Sequence, residues 1–321
     1  MEPAILSVRD LSIRFDTKYG TANAVDKVSF DILQNQKVGI VGESGCGKSI
    51  VCKSLLQLLP KTAHVSGTAM YGGRDIFAMS RKEMYGIRGK EISMIFQEPM
   101  TSLNPLYTIG NQLTETIRLH QRVSRAEAVE RALEMLRLVN IPSPEQRLKQ
   151  YPFEMSGGMR QRIMIAIALA CNPHILIADE PTTALDVTIQ AQILELINHL
   201  NRELETALIL ITHDLGVVAE TVDTVIVMYA GHIVEHARVE ELFEHPMHPY
   251  TKGLLEAMPK LDGERGELHT IPGTVPAIYE MPAGCRFQNR CPCKTEKCSA
   301  QCPPLFGTEG HQVKCWMYEE R

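Results

Sequence analysis

Residues 39–59, GIVGESGCGKSIVCKSLLQLL, constrain this chain more than any other stretch, because an apolar strand runs into a glycine-rich turn and then into a helix. Gly42, Gly47, Lys48 and Ser49 fit the pattern G-x-x-x-x-G-K-[ST]. In that pattern backbone N–H groups surround phosphates, the lysine reaches the outermost ones and the hydroxyl ligates Mg²⁺. Glycine is required where the chain passes close to an anion with dihedrals that other residues resist, and the following helix aims the positive end of its dipole at that anion. The surroundings agree: Val38 to Val41 is a short apolar run, and Ile50 to Leu59 is helix-forming until Pro60 stops it.

At 321 residues the chain exceeds the roughly 250–300 residues at which a single core stops growing, so one large domain with an appendage is expected. A hydrophobic share of 44% and a net charge of −5 describe a globular protein without the basic footprint of a nucleic-acid binder. The longest apolar run, Ile163 to Cys171, is far too short to span a bilayer, and no basic, apolar leader opens the chain, so a cytoplasmic location is expected. Cysteine usage is lopsided. Cys46, Cys52 and Cys171 are scattered, whereas Cys285, Cys291, Cys293, Cys298, Cys302 and Cys315 crowd the end, a pattern that in a reducing compartment points to metal rather than to disulfides.

Taken in order, residues 5–15 and Val28 to Ile32 alternate apolar and polar, as antiparallel strands do, with Tyr19 on the loop between them. Gly67 to Tyr71 and Ile92 to Phe96 read as further strands, the second ending at Gln97. Residues 98–114 are rich in turn formers. A helix capped by Ser124 and Glu127 follows, with Val129, Leu133, Leu136 and Val139 at helical spacing, as in a helical insertion. Ser156, Gly157 and Gly158 precede a helix over 160–170, where free N–H groups form either a simple cap or a second anion site. The strand Ile175 to Ala178 ends in Asp179-Glu180, and the strand Leu208 to Ile211 ends in Thr212-His213-Asp214. Lys48, the carboxylate pair and His213 are thus each delivered at the carboxyl end of a strand, where open α/β sheets bind ligands. From about residue 261 prolines, glycines and cysteines replace periodic apolar residues, giving expected domains of 1–260, with a helical subdomain at about 98–170, and 261–321.

The ordered set GESGCGKS, Gln97, MSGGMRQR, ILIADE, TALD and ITHD resembles the ATPase subunit of ATP-binding cassette transporters over about residues 5–260. The resemblance implies an α/β fold: a P-loop core with a mostly parallel sheet, an antiparallel β-subdomain and a helical subdomain, here with a small cysteine-rich C-terminal extension. It also implies two ATPase domains closing head to tail around two nucleotides beneath a membrane permease. Carried over residue by residue, Tyr19 would stack on adenine. The loop Gly42, Ser44, Gly45, Cys46, Gly47, Lys48 and Ser49 would hold the phosphates, with no chemistry for the Cys46 thiol. Ser49 and Gln97 would ligate Mg²⁺, and Asp179 would hold it through water. Glu180 would act as general base, and His213 would contact the γ-phosphate. Asp186 would communicate across the dimer, and Ser156, Gly157 and Gly158 would cap the partner-bound nucleotide. Met155 and Met159 replace the leucine and glutamine that commonly flank that signature, while the Ser-Gly-Gly itself is intact.

The wording around MIFQEPMTSLNPLYTIG, the long run from SGGMRQR through TIQAQIL, and HPYTKGLL resembles the dipeptide and oligopeptide importer branch more closely, with nickel importers sharing much of this core. That likeness implies an energy-coupling ATPase for peptide uptake at the cytoplasmic face of the cell membrane. Its partners would be a second, usually different, ATPase subunit, two permease subunits and an extracytoplasmic peptide-binding protein. Residues 98–114 would meet the permease, so charge at Leu106 or Ile109 is expected to uncouple transport and spare nucleotide binding. The cysteine tail resembles one that carries a [4Fe–4S] cluster in this branch, with Cys285, Cys291, Cys298 and Cys315 as the matching ligands. Cys293 and Cys302 are extra and able to substitute. Four cysteines also suit zinc, although their spacing lacks the short pairs that zinc modules favour. A nickel or other metal-chelate importer stays open as an alternative. A cassette ATPase acting on nucleic acid or ribosomes is disfavoured by the missing basic patch and internal repeat.

Overall fold

A computed structural model describes residues 3–18, 20–97, 102–183, 185–258, 270–308 and 310–319. The chain divides into two compact units. One holds Leu33–Gln36 and Met79–Leu210; the other holds Pro3–Ile32, Lys37–Ala78 and Ile211–Arg321.

The second unit carries the phosphate-loop motif and two sheets. Strands β1 (Ala4–Thr17), β2 (Gly20–Leu33), β4 (Ala63–Tyr71) and β5 (Arg74–Asp75) form a sheet of order β2-β1-β4-β5, in which β1 and β4 run antiparallel. The alternation read from Leu11 through Ile13 is met, both being fully buried, but Phe15 is only half-buried, and a bulge between Arg9 and Ser12 shifts the parity so that Leu6 and Val8 share the buried face. Strand β3 (Lys37–Val41) lies parallel to β9 (Thr224–Tyr229), with Val38 opposite Thr224 and Val41 opposite Val227. Both are almost wholly buried, as strands covered on two faces must be, which explains their unbroken apolar sequence. Strand β10 (His232–Arg238) turns back antiparallel on β9.

The sheet then continues through the C-terminal segment. Strand β12 (His311–Val313) pairs with β10, and β11 (Phe306–Thr308) pairs with β12. The cysteine-rich residues are therefore in the same compact unit as the phosphate loop, and the expected boundary near 261 falls among residues outside those described.

The first unit combines the parallel strands β6 (Ile92–Ile95) and β7 (Ile175–Asp179) with helices. Strand β8 (Ala207–Thr212) lies beside β7, and the division between the units falls inside it. The helices are α2 (Arg81–Ile87), α3 (Ile109–Gln121), α4 (Arg125–Leu138), α5 (Pro144–Arg147), α6 (Gly157–Leu169) and α7 (Val187–Glu203). Ser124 caps α4, its hydroxyl accepting the Glu127 N–H at 3.2 Å, but the reciprocal half of the expected capping box is replaced: the Glu127 carboxylate accepts from Arg131 Nη2 at 2.6 Å. The buried stripe of α4 is Ala128, Ala132 and Leu136 with Val139 at its end, whereas Val129 is exposed. The face is rotated from the one expected, because alanines let α4 approach α3 closely and pack without long side chains.

Residues 98–101 lie outside those described. In the rest of the turn-rich stretch, Leu106 is 80% exposed but Ile109, the first residue of α3, is fully buried with Leu113 and Ile117. The expectation that charge at either position probes a surface is corrected for Ile109: there it would disrupt the core that seats α3.

Candidate nucleotide-binding site

The loop after β3 has the geometry its glycines foretell. Gly42, Gly45 and Gly47 have φ of 147°, 81° and 98°. A Cβ at Gly42 would stand 2.2 Å from the Met228 carbonyl oxygen, so no side chain fits there. Helix α1 (Lys48–Leu55) starts immediately after Gly47, which leaves the N–H groups of its first turn without helical partners and directed at the loop. Lys48 is 6% exposed; its Nζ donates to the Gly42 carbonyl at 2.6 Å and to that of Glu43 at 3.0 Å. This ammonium is therefore aimed into the concave side of the loop. Ser44 and Gly45 are exposed at its tip, and Ser49 is half-buried in the first turn. Cys46 is fully buried, and burial pushes its thiol pKa up.

In the first unit, Asp179 closes β7 and is 1% exposed. Glu180 follows in the left-handed region, φ 47°, a conformation that costs a non-glycine residue of order 1–2 kcal/mol and turns its carboxylate away from the strand line. Its Oε2 accepts from Gln97 Nε2 at 2.9 Å and from Thr183 Oγ1 at 2.9 Å. Gln97 lies just past β6, the parallel neighbour of β7, so register brings these two expected residues together. Ser156 caps α6, its hydroxyl accepting the Met159 N–H at 3.3 Å, with Gly157 and Gly158 in the first turn. A Cβ on Gly158 would come within 3.1 Å of Ile189, so this close helix approach needs glycine. Asp186 caps α7, accepting the Ile189 N–H at 2.9 Å. His213 is exposed between β8 and the short helix α8 (Leu215–Thr221), which Asp214 caps. Tyr19 lies outside the described residues.

The cysteine expectations divide. Cys285, Cys291, Cys293, Cys298 and Cys315 line one cavity of about 160 Å³, together with His248, Phe287 and Trp316. Yet among the described residues no group of three or more His, Cys, Asp or Glu side chains is arranged to hold a metal ion. The iron–sulfur assignment to Cys285, Cys291, Cys298 and Cys315 is therefore corrected, and the four-cysteine zinc site that shared its ligands has no support either. Burial, with a smaller contribution from the neighbouring cysteines, pushes Cys285 up to about 12 and Cys291 up to about 11. The C-terminal segment is instead held by packing and strand pairing: Phe287 meets Tyr229 and Tyr250 at ring-centroid distances of 5.1 and 5.4 Å. Sequence reasoning gave no role to Glu43, Tyr250 or Arg290, which the fold brings together: they are far apart in the chain, and the quoted motifs that contain Glu43 and Tyr250 assign neither of them a partner.

Residues 25–183 match the family described as "ABC transporter". A "Probable peptide ABC transporter ATP-binding protein" of Sinorhizobium fredii is 53% identical over 320 residues, covering 98% of this chain and 96% of its own. The chain belongs to the ATP-binding cassette family, as an ATPase subunit of its transporters. Residues 234–298 match the region described as "Oligopeptide/dipeptide transporter, C-terminal region". The "Dipeptide transport ATP-binding protein" of Bacillus subtilis is 51% identical, covering 99% of this chain and 96% of that one. The "Oligopeptide transport ATP-binding protein" of Escherichia coli is 50% identical, with 98% and 93% covered. Among solved structures, the dimeric post-hydrolysis state of an ATP-binding cassette bound to ADP and Pi is similar, with a TM-score of 0.65 and 26% identity, covering 73% of this chain and 98% of that one.

Proposed function

We propose that this chain hydrolyses ATP to drive uptake of di- or oligopeptides through a membrane importer. The observation that carries the reading is the joint likeness at both ends: a cassette core in residues 25–183 and a peptide-transporter C-terminal region in residues 234–298, in one chain about half identical to peptide-transport ATPases along nearly its whole length. The importer context implies permease and peptide-binding partners. The second ATPase subunit, its being a different chain, and a seat on the cytoplasmic face of the membrane are carried from the resemblance. Among the described residues no helix is long and apolar enough to cross a membrane, in keeping with a separate permease.

The donor set suits ATP with Mg²⁺: positive-φ glycines, a helix N-terminus, a buried lysine and a hydroxyl follow one another at the phosphate loop. Mg²⁺, when bound, would offset the phosphate charge and orient the triphosphate, with Ser49 and Gln97 as its direct ligands and Asp179 acting through water. Lys48 and the amides of residues 45–49 bind and orient the outer phosphates. Glu180, whose carboxylate is already fixed by Gln97 and Thr183, takes a proton from the attacking water. His213 positions the γ-phosphate. Ser156, Gly157 and Gly158 serve the nucleotide of the partner subunit, and Asp186 carries the signal between subunits. These groups supply positioning and charge stabilisation, which is what phosphoryl transfer chiefly asks of a protein.

Peptide uptake in cells whose chromosomal copy is replaced by Glu180→Gln tests the whole reading. Uptake of a labelled di- or tripeptide should be lost while the protein is still made and still binds ATP. Undiminished uptake would overturn it, and loss of nickel uptake instead would favour the metal-chelate alternative.

A further inference from the structure

Glu43 is the first residue inside the phosphate loop, and three different groups hold it. Its N–H donates to the Tyr250 hydroxyl at 2.8 Å, its carbonyl accepts from Lys48 Nζ at 3.0 Å, and its two carboxylate oxygens accept from Arg290 Nη1 at 2.9 and 3.0 Å. Tyr250, on helix α9 (Pro249–Glu256), is fully buried and packs edge-on against Tyr229 with centroids 4.7 Å apart.

Arg290 comes from the cysteine-rich segment, 247 residues downstream of Glu43, and its side chain is 5% exposed. The rest of its guanidinium is also used: Nε donates to the Pro272 carbonyl at 2.9 Å and Nη2 to that of Ile271 at 3.1 Å. The guanidinium carbon lies 5.7 Å from the Tyr229 ring centroid. A planar, fixed fork with every edge engaged is a rigid strut rather than a surface ion pair. A second arginine of the same segment, Arg286, donates to the Ala230 carbonyl and, at 3.3 Å, to Asp26. The next residue, Gly231, donates its N–H to the Cys46 carbonyl at 2.9 Å.

A carboxylate in the wall of a phosphate-binding loop is an electrostatic liability, because a bound triphosphate repels it at short range and in a partly dry setting. Arg290 removes that liability while fixing the loop at one end. We propose that Arg290 is a positioning residue for nucleotide binding: by neutralising and anchoring Glu43 it makes the loop's affinity for ATP depend on the C-terminal segment. The proposal rests on the reading of residues 42–49 as the phosphate site. It gives the segment beyond residue 270 a role at that site that needs no metal.

The test is titration of the full-length protein with a fluorescent ATP analogue, alongside thermal melting. Arg290→Gln should weaken binding by about tenfold, since the unneutralised Glu43 remains, and adding Glu43→Gln should recover much of that loss. A purely structural role for Arg290 would not be rescued by deleting the charge it faces. Arg290→Lys keeps the cation and loses the fork. It should weaken binding by about threefold and carries the test if Arg290→Gln does not fold. Wild-type affinity in whichever of these variants melts normally, or a double variant no better than Arg290→Gln alone, would overturn the proposal. Lys48→Ala is the control: if it binds as tightly as the parent, the phosphate-loop reading itself fails. Weak binding by Lys48→Ala beside unaffected Arg290 variants sinks only the role of Arg290.

Discussion

Glu180 shows how much depends on single residues here. Its left-handed backbone and its two hydrogen bonds fix a carboxylate just past the end of β7. Glu180→Gln keeps the shape and removes the proposed base, so phosphate release should fall by about two orders of magnitude or more while ATP binding persists. Full turnover in that variant would remove Glu180 from the role. Two buried histidines make a pH prediction. Burial pushes His248 down to about 3, and burial outweighs the Asp26 hydrogen bond to push His232 down to about 4. Both folded values lie below the usual 6.5, so the unfolded chain binds more protons than the native one between those limits. Their contribution is fully present above about pH 6.5 and is lost as pH falls toward the folded values, each by up to about 1.4 kcal/mol per pH unit. Denaturant midpoints should therefore drop from pH 7 to pH 5, and His248→Gln, if it folds, should flatten that slope; an unchanged slope would show that His248 does not titrate on unfolding.

At the scale of elements, helices α3 and α4 show why a stripe of residues and a buried face are not the same thing. Leu136 is fully buried in α4, so Leu136→Ala should cost about 2–5 kcal/mol in chemical denaturation. The exposed Val129→Ala should cost less than about 1 kcal/mol. If the two cost the same, the buried face is misassigned. Leu106 and Ile109 separate in the same way. Leu106→Glu, on the exposed stretch before α3, should leave the melting temperature and ATP binding unchanged and lower peptide uptake; Ile109→Glu should lower the melting temperature itself. Unimpaired uptake with Leu106→Glu would mean that this stretch does not meet the permease. Strands β11 and β12 extend the sheet that contains β3, so the C-terminal segment is part of a fold element and not an attached tail.

For the whole molecule, the proposed function makes this chain one component of a larger assembly, a reading supported by its likeness to peptide-transport ATP-binding proteins along nearly its whole length. Nucleotide-dependent self-association, or association with a second ATPase, is the expected behaviour of the Glu180→Gln protein with ATP, read as a shift in mass by light scattering. In cells the wild-type protein should sediment with membranes only when the permeases are present. Sedimentation with ribosomes would instead revive the alternative of an ATPase acting on nucleic acid. The local geometry of the candidate site was legible because each part is contiguous: a strand, a turn and a helix start, all within a dozen residues, suffice to define the glycine-rich loop, the Asp179-Glu180 pair and the cap at Ser156. Six cysteines near one end were legible only as a cluster. Whether thiols become ligands depends on where they point, and among the described residues no group of three or more His, Cys, Asp or Glu side chains, the cysteines round this cavity included, is arranged to hold a metal ion. The sequence by itself determined the fold class, the cassette identity and the order of the motifs, because short-range backbone chemistry writes these as contiguous patterns. Only the tertiary structure decided that α4 packs on its alanines, that Ile109 is core, and that Arg290 reaches Glu43 across 247 residues. Contacts between distant residues are set by packing and burial, and those leave no local spacing to read.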